Sequence, residues 1–337
     1  MNAPAPDAPE ITDHLAGFLK AAGDPLRLQV LQVLGQNSFG VLELCDIMAM
    51  KQSGMSHHLK VLTRGGLVEK RREGNSIFYR RRLPQAGSRE GALHSALLDE
   101  LDDGTLDPSV AERLEQVQSQ RAEQSRAFFA RHAEQRDEQQ ELIADYGQYA
   151  EQALELLIRA CPDGRSALEI GPGDGQFLVE LAHRFASVTG LDNAAAMLER
   201  ARHQLAVAKQ QNVELILGEW PNTATTLPTV DAVVLNMVLH HLPAPASAIR
   251  AAARQLNDGG TLLITDLCRH DQHWAHEACG DFWLGFEEAD LVNWAGRAGL
   301  ALQESQFLAL RNGFQVQVRT FEKRDTLTRS TQHAVRE

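Results

Sequence analysis

A chain of 337 residues, 43% of them hydrophobic, is long enough for two domains with packed cores and excludes a wholly disordered protein. Its net charge of −12 excludes a protein that coats nucleic acid over its whole surface, although an average conceals local patches. The four cysteines (Cys45, Cys161, Cys268 and Cys279) are scattered without a C-x-x-C pair, which argues against a disulfide framework and suits a reducing cytoplasm. No apolar run approaches the roughly 20 residues of a membrane span, so no membrane partner is expected.

In chain order, residues 1–10 are rich in Ala and Pro, lack the basic-then-apolar pattern of a signal peptide, and read as a disordered lead. Residues 11–22 carry a helical stripe of Ile11, Leu15, Phe18 and Leu19. Asp24-Pro25 restarts a helix as N-cap and first-turn residue. Gly35 and Gly40 bracket a turn, and residues 41–49 read as a short helix. The next helix, 52–63, turns Met55, Leu59 and Leu62 inward and offers Gln52, Ser53, Ser56, His57 and Lys60 on its outer face. Residues 67–72 and 76–80 are strand-like, and Glu73-Gly74-Asn75 between them suits the positive φ of a tight turn. Two short helices followed by a hairpin predict a winged helix-turn-helix.

Between residues 51 and 90, ten basic residues face three acidic ones, an excess of seven positive charges in a chain that is −12 overall. Alone this is also the signature of a solvated basic face; joined to the helix-hairpin pattern it is the expected footprint of phosphate contacts. Asp24-Pro25-Leu26-Arg27-Leu28, Ser56-His57-His58-Leu59-Lys60-Val61-Leu62 and Gly66-Leu67-Val68 make residues 11–103 resemble the ArsR (arsenic-repressor) family of winged-helix transcription regulators. The resemblance implies that Gln52, Ser53, Ser56, His57 and Lys60 read the major groove of an operator duplex, while Arg71, Arg72 and Asn75 approach phosphate or the minor groove. It also implies a homodimer made by the first helix and by the last, 90–101. Dimeric readers of this kind take two half-sites about one turn of DNA apart.

Asp107-Pro108 is another cap-and-first-turn start. Residues 109–144 are rich in Gln, Glu, Arg and Ala without Gly or Pro, which predicts a long, mostly solvated helix as a linker over 104–145. A more apolar helix over 146–160 leads into the second domain, 146–323, and a polar tail closes the chain at 324–337.

That domain is organised around Leu168-Glu169-Ile170-Gly171-Pro172-Gly173-Asp174-Gly175. Strand 166–170, a glycine turn and helix 177–186 make the kind of crevice that an open α/β sheet places at its carboxyl edge. A dinucleotide fingerprint needs a third glycine at position 176, which is Gln176. Further strands are read at 187–191, ending in Asp192, at 213–217 before Gly218-Glu219-Trp220, and at 231–235 before Asn236. Strand 261–266 follows the turn Leu256-Asn257-Asp258-Gly259-Gly260, and the last two strands are 301–308 and 315–322. These ordered matches resemble class I S-adenosylmethionine-dependent methyltransferases. The resemblance implies a Rossmann-like α/β domain binding S-adenosylmethionine or S-adenosylhomocysteine. Glu169, Gly171, Gly173, Asp174 and Gly175 would surround the amino-acid part, and Asp192 with Asn193 would hold the ribose. Met197, Glu219 and Trp220 would enclose the adenine, beside Asn236.

His240 and His241 follow the fourth strand and are candidate general bases. The same His-His-Leu run is also a plain helix start, the reading preferred because spacing identifies no acid-base partner. Metal sensing is not expected of the first domain: where the family's arsenic and cadmium sensors have cysteines, Gly40 and Leu42 stand, leaving Cys45 alone. The cluster Cys268, His270, His273, His276 and Cys279 is dense in ligand types, but density does not give geometry, and no metal is assigned. The whole chain therefore reads as a multidomain, cytoplasmic, dimeric DNA-binding regulator whose second domain senses its nucleoside. The alternative is an active small-molecule methyltransferase regulated through its winged helix.

Overall fold

The computed structural model describes residues 8–35, 37–73, 76–85, 87–132 and 143–324. The chain divides into two compact units, Met1–Arg121 and Ala122–Glu337. The expected lead lies outside the described residues for 1–7, but helix α1 (Ala8–Ala22) already begins at Ala8. The tail is outside them from residue 325 onward.

In the first unit, Asp24 caps α2 (Pro25–Leu34), its carboxylate accepting the Arg27 N–H at 3.0 Å, a contact worth about 1 kcal/mol to a helix. Strand β1 (Phe39–Gly40), two residues long where the sequence suggested only a turn, pairs antiparallel with Phe78 and Tyr79. Helices α3 (Val41–Ile47) and α4 (Gln52–Arg64) are followed by the hairpin β2 (Val68–Glu73) and β3 (Ser76–Arg81), and the sheet order is β1-β3-β2. Helix α5 (Arg89–Asp103) follows, and α6 (Pro108–His132) occupies the expected linker. The core joins Phe18, Val30, Leu31, Leu44, Ile47, Met55, Leu59 and Leu62 to Val110, Leu114 and Val117 of α6. Here the structure corrects the expectation of a mostly solvated linker: α6 packs a stripe against this core, and Arg121 and Ser125 continue it as buried polar residues. Positions 133–142 of the expected helix lie outside the described residues.

The second unit is a seven-stranded sheet in the order β6-β5-β4-β7-β8-β10-β9. Its parallel strands are β4 (Ser166–Ile170), β5 (Ser187–Asp192), β6 (Val213–Leu217), β7 (Val230–Asn236) and β8 (Leu256–Leu267). The last two, β9 (Leu300–Ala309) and β10 (Gln315–Lys323), form an antiparallel end. Helix α7 (Ala150–Ala160) precedes β4, and between the strands run α8 (Gln176–Arg184), α9 (Ala195–Val207), α10 (Pro245–Gln255), α11 (Trp274–Cys279) and α12 (Glu288–Arg297). Near-continuous apolar runs in β4, β7 and the 262–264 stretch of β8 are the expected composition of strands buried on both faces. From β4 the chain winds outward through β5 and β6, then returns to β7 on the other side of β4. The strand order thus reverses between β4 and β7, and a crevice opens beyond their carboxyl ends. No helix among the described residues is long and apolar enough to cross a membrane.

Candidate functional site

The crevice begins where β4 ends. The Gly171 N–H donates to the Leu191 carbonyl at 2.8 Å, which ties the glycine loop to the end of β5. Gly171 has φ +66°, and a Cβ there would lie 2.4 Å from Val238 Cγ2, so both conformation and space require glycine. Gly173, at φ +58°, instead faces open space, the close-approach surface a ligand needs. Gly175 is the left-handed N-cap of α8. Asp174 is partly committed to that helix start, accepting from the Gln176 amide side chain at 2.6 Å and from its backbone N–H at 3.3 Å.

Asp192 closes β5 and is only 7% exposed; its Oδ1 accepts the Ala194 N–H at 2.8 Å. An open cleft lies beside it. Of the residues predicted from sequence, Gly171, Asp192, Asn193, Glu219, Trp220 and His241 line this cleft. Glu169, Gly173, Asp174, Gly175, Met197 and Asn236 are not on its wall. Met197 is buried in α9, while Glu169 and Asn236 sit at the ends of β4 and β7, and Glu169 Oε2 and Asn236 Oδ1 are buried without a hydrogen bond. Burial, then the carboxylates of Asp174 and Asp192, push the Glu169 carboxyl up to about 8. Buried polar atoms are normally hydrogen-bonded, so Glu169 Oε2 and Asn236 Oδ1 are acceptors left open to a donor.

The sequence reading missed several residues of the wall. Ala122 and Ser125 of α6, with Val238, Leu242 and Pro243, line the cleft. Glu219 Oε2 accepts from Arg126 Nη1 at 2.6 Å, so the acid expected near adenine is held by the same helix. Trp220 is 7% exposed and donates its indole N–H to the Ala248 carbonyl at 3.2 Å. Tyr149 is buried and the Tyr146 hydroxyl lacks a partner; burial and neighbouring carboxylates, Glu169 among them, push both phenols up. Their signal was present only as two aromatics three residues apart ahead of α7.

Beneath the cleft, His240 is 1% exposed and its Nδ1 lies 2.8 Å from Asp266 Oδ1. Sequence spacing had offered no partner because Asp266 arrives from the neighbouring strand. Among the described residues, the group of metal-ligating side chains that converges is His240, His241 and Asp281, and the described members of the cluster at 268–279 do not join it. The side chain of His276 lies outside the described residues. Burial pushes the Cys268 thiol up to about 11, and burial, then His240, pulls His270 down to about 4. Cys45 is buried, as expected of a small apolar residue, and burial raises its thiol.

In the first unit, α4 exposes Gln52, Ser53, Ser56, His57 and Lys60 and buries Met55, Leu59 and Leu62. Arg72 is exposed on the wing. Arg71 requires a correction: its guanidinium is 2% exposed and pairs with Glu73, so it is turned into the unit and cannot reach phosphate. Asn75 lies outside the described residues. Arg81 is likewise internal, donating to the Leu31 carbonyl at 2.6 Å and to Asp102 at 2.8 Å.

Comparison with known proteins follows the same division. The methyltransferase-domain family matches residues 112–313, and the helix-turn-helix-domain family matches residues 22–71. The chain is similar to the ubiquinone biosynthesis O-methyltransferase of Alkalilimnicola ehrlichii, 30% identical over 160 residues, which are 43% of this chain and 64% of that one. It thus spans just under two thirds of that relative. The Pseudomonas aeruginosa protein of the same name is 31% identical over 161 residues, 43% of this chain and 68% of the relative. Among solved structures, the 1,6-didemethyltoxoflavin-N1-methyltransferase of Burkholderia thailandensis is similar with a TM-score of 0.48 and 18% identity, over 60% of this chain and 88% of that one.

Proposed function

Because this chain belongs to the methyltransferase-domain family and joins that domain to a helix-turn-helix domain, we propose that it is a DNA-binding transcription regulator of ArsR type governed by a nucleoside of the methyl-transfer cycle. The nucleoside is S-adenosylmethionine or S-adenosylhomocysteine. Asp192 accepts the ribose hydroxyls, Gly173 admits the amino-acid chain, and Glu169 with Asp174 answers its ammonium. The regulator is a cytoplasmic homodimer, and α4 with Arg72 contacts the operator duplex.

The observation that carries this reading is the double service of α6. Up to Arg121 the helix belongs to the first unit, and from Ala122 to the second. Arg121 is 3% exposed, donates to both carboxylate oxygens of Glu43 at 2.6 Å and lies over the rings of Phe39 and Phe78. One turn later Ser125 lines the cleft and Arg126 holds Glu219. Within each unit, then, the helix is anchored by a charged pair, and a ligand that displaces Glu219 acts on the helix that carries Arg121. The response can be no larger than the ligand's differential affinity for the two states.

A second reading, an active O-methyltransferase regulated by its winged helix, is favoured by the likeness to O-methyltransferases and by the His240–Asp266 pair next to the cleft. Methyl transfer itself needs mainly alignment of nucleophile and methyl carbon. The two readings separate on one measurement: affinity for an operator duplex without ligand, with S-adenosylmethionine and with S-adenosylhomocysteine, alongside a methyl-transfer assay. The regulator predicts a change of several-fold with one of the two. In Asp192→Ala that change disappears and nucleoside affinity falls by about 10- to 100-fold, the worth of a hydrogen bond to a charged group, while unliganded DNA binding persists. Loss of both activities would sink the division of labour.

A further inference from the structure

His240 and His241 belong to a 3₁₀ turn (Leu239–His241) just after β7, and Asp281 comes from a segment 40 residues further on. Backbone hydrogen bonds fasten the two together. The His240 carbonyl accepts the N–H groups of Phe282 at 3.0 Å and Trp283 at 3.2 Å, and the Trp283 indole donates to the Leu242 carbonyl at 2.9 Å. Asp281 is thereby held beside both imidazoles. His240 Nε2 lies 3.8 Å and His241 Nδ1 3.5 Å from the same oxygen, Asp281 Oδ1, and the three candidate ligand atoms are all within 4.8 Å of one another. All three residues are buried, at 1%, 5% and 1% exposure.

We propose that His240 Nε2, His241 Nδ1 and an Asp281 carboxylate oxygen form a binding site for a first-row divalent transition metal, zinc by ligand spacing. Ligands about 2.1 Å from one tetrahedral ion stand roughly 3.4 Å apart, close to the two separations seen. The donor set, two imidazoles and a carboxylate, is one that zinc accepts with a fourth position left open. A second carboxylate completes the pattern. Asp266 Oδ1, 2.8 Å from His240 Nδ1, fixes the tautomer that leaves Nε2 as the acceptor facing Asp281, the usual partner of a metal-bound histidine. Because His241 also lines the cleft, the open position takes water or an anionic oxygen of a second small molecule beside the nucleoside. This departs from the sequence expectation, which assigned no metal after weighing Cys45 in the first domain and the cluster at 268–279.

The test uses the full-length protein stripped by a chelator. Zn²⁺ titration against a chromophoric competitor should give one equivalent per chain, and Zn²⁺ should raise the melting temperature. Co²⁺ should give visible d–d bands without the near-ultraviolet charge transfer of a thiolate ligand. Asp281→Asn should weaken Zn²⁺ binding at least about 100-fold and Asp266→Asn by about 10- to 100-fold, in the range for outer-shell partners; Cys268→Ser should change nothing. If Asp281→Asn fails to fold, His241→Gln takes its place. Binding well below one equivalent, a thiolate band, or undiminished affinity in both variants overturns the site.

Discussion

Glu169 is the residue whose chemistry is most open to a direct test. Its carboxyl is raised to about 8 by burial and by Asp174 and Asp192, so in the ligand-free protein it is protonated at pH 7. A ligand ammonium favours the ionised form. Affinity for S-adenosylhomocysteine should therefore rise about tenfold per pH unit up to pH 8 and level off there, as linkage requires. Isothermal calorimetry from pH 6 to 8.5 checks this, and a flat profile removes Glu169 from the ammonium site. The sign for stability is opposite. Above the unfolded carboxyl range near 4.5 the unfolded chain has lost the proton that the folded chain keeps until about 8, so this group makes the free protein less stable as pH rises between those values. Glu169→Gln should remove both dependences, and its melting temperature relative to wild type should be higher at pH 8 than at pH 5. The position was legible because an acid two residues before a strand-ending glycine has few places to go. Arg71 was not legible. In Val68-Glu69-Lys70-Arg71-Arg72-Glu73 nothing in composition says that Arg71 and Glu73 turn inward as a pair while Arg72 stays outside.

Helix α6 shows the same limit at the next scale. Val110, Leu114 and Val117 are too few in 25 residues to announce a packed face, and the face continues as Arg121 and Ser125, which hydropathy scores as surface. Strands β4, β5 and β6 were legible because each combines a short apolar run with a glycine or acid at its carboxyl end. The helix that completes the cleft carries no such mark, and the His240–Asp266–Asp281 constellation joins β8, which the sheet order sets beside β7, to a later segment fastened by its own hydrogen bonds. The Arg126–Glu219 pair is half-exposed, and pairs of that kind contribute only about 0–1 kcal/mol. Arg126→Ala should therefore leave nucleoside affinity and unliganded operator affinity each within about fivefold, a bound set by that energy. The ligand-induced change in operator affinity should collapse, since allosteric coupling of about 1–3 kcal/mol is carried by such differential contacts. Titrating DNA by fluorescence anisotropy with and without ligand decides it, and a variant that responds as wild type does would show that the signal does not run through this pair.

At the scale of the whole molecule, the negative net charge and the basic winged helix pull in opposite directions, and exposed charge decides which matters at DNA. Lys51, Lys60, Arg64, Lys70, Arg72 and Arg82 are exposed, whereas Arg71 and Arg81 are internal, so the excess read from sequence overstates the phosphate-facing charge. A duplex reader with few phosphate contacts gains most from binding two half-sites at once. The apolar stripe of α1 is split accordingly: Phe18 is buried, while Leu15 and Leu19 remain 38% and 51% exposed, and Leu93 of α5 is 40% exposed. His14 and Glu90, 2.8 Å apart, bring these same two helices together. In the homodimer proposed above, these three exposed leucines of α1 and α5 are the surface to be covered. Leu19→Glu places a carboxylate in that apolar face and should turn the proposed dimer into a monomer in sedimentation equilibrium. Operator affinity should then fall at least about 100-fold, the usual loss when two linked sites act singly, while nucleoside binding in the second unit stays within about twofold of wild type because Leu19 has no part in the cleft. A variant that remains dimeric with undiminished operator affinity would mean that another surface joins the protomers.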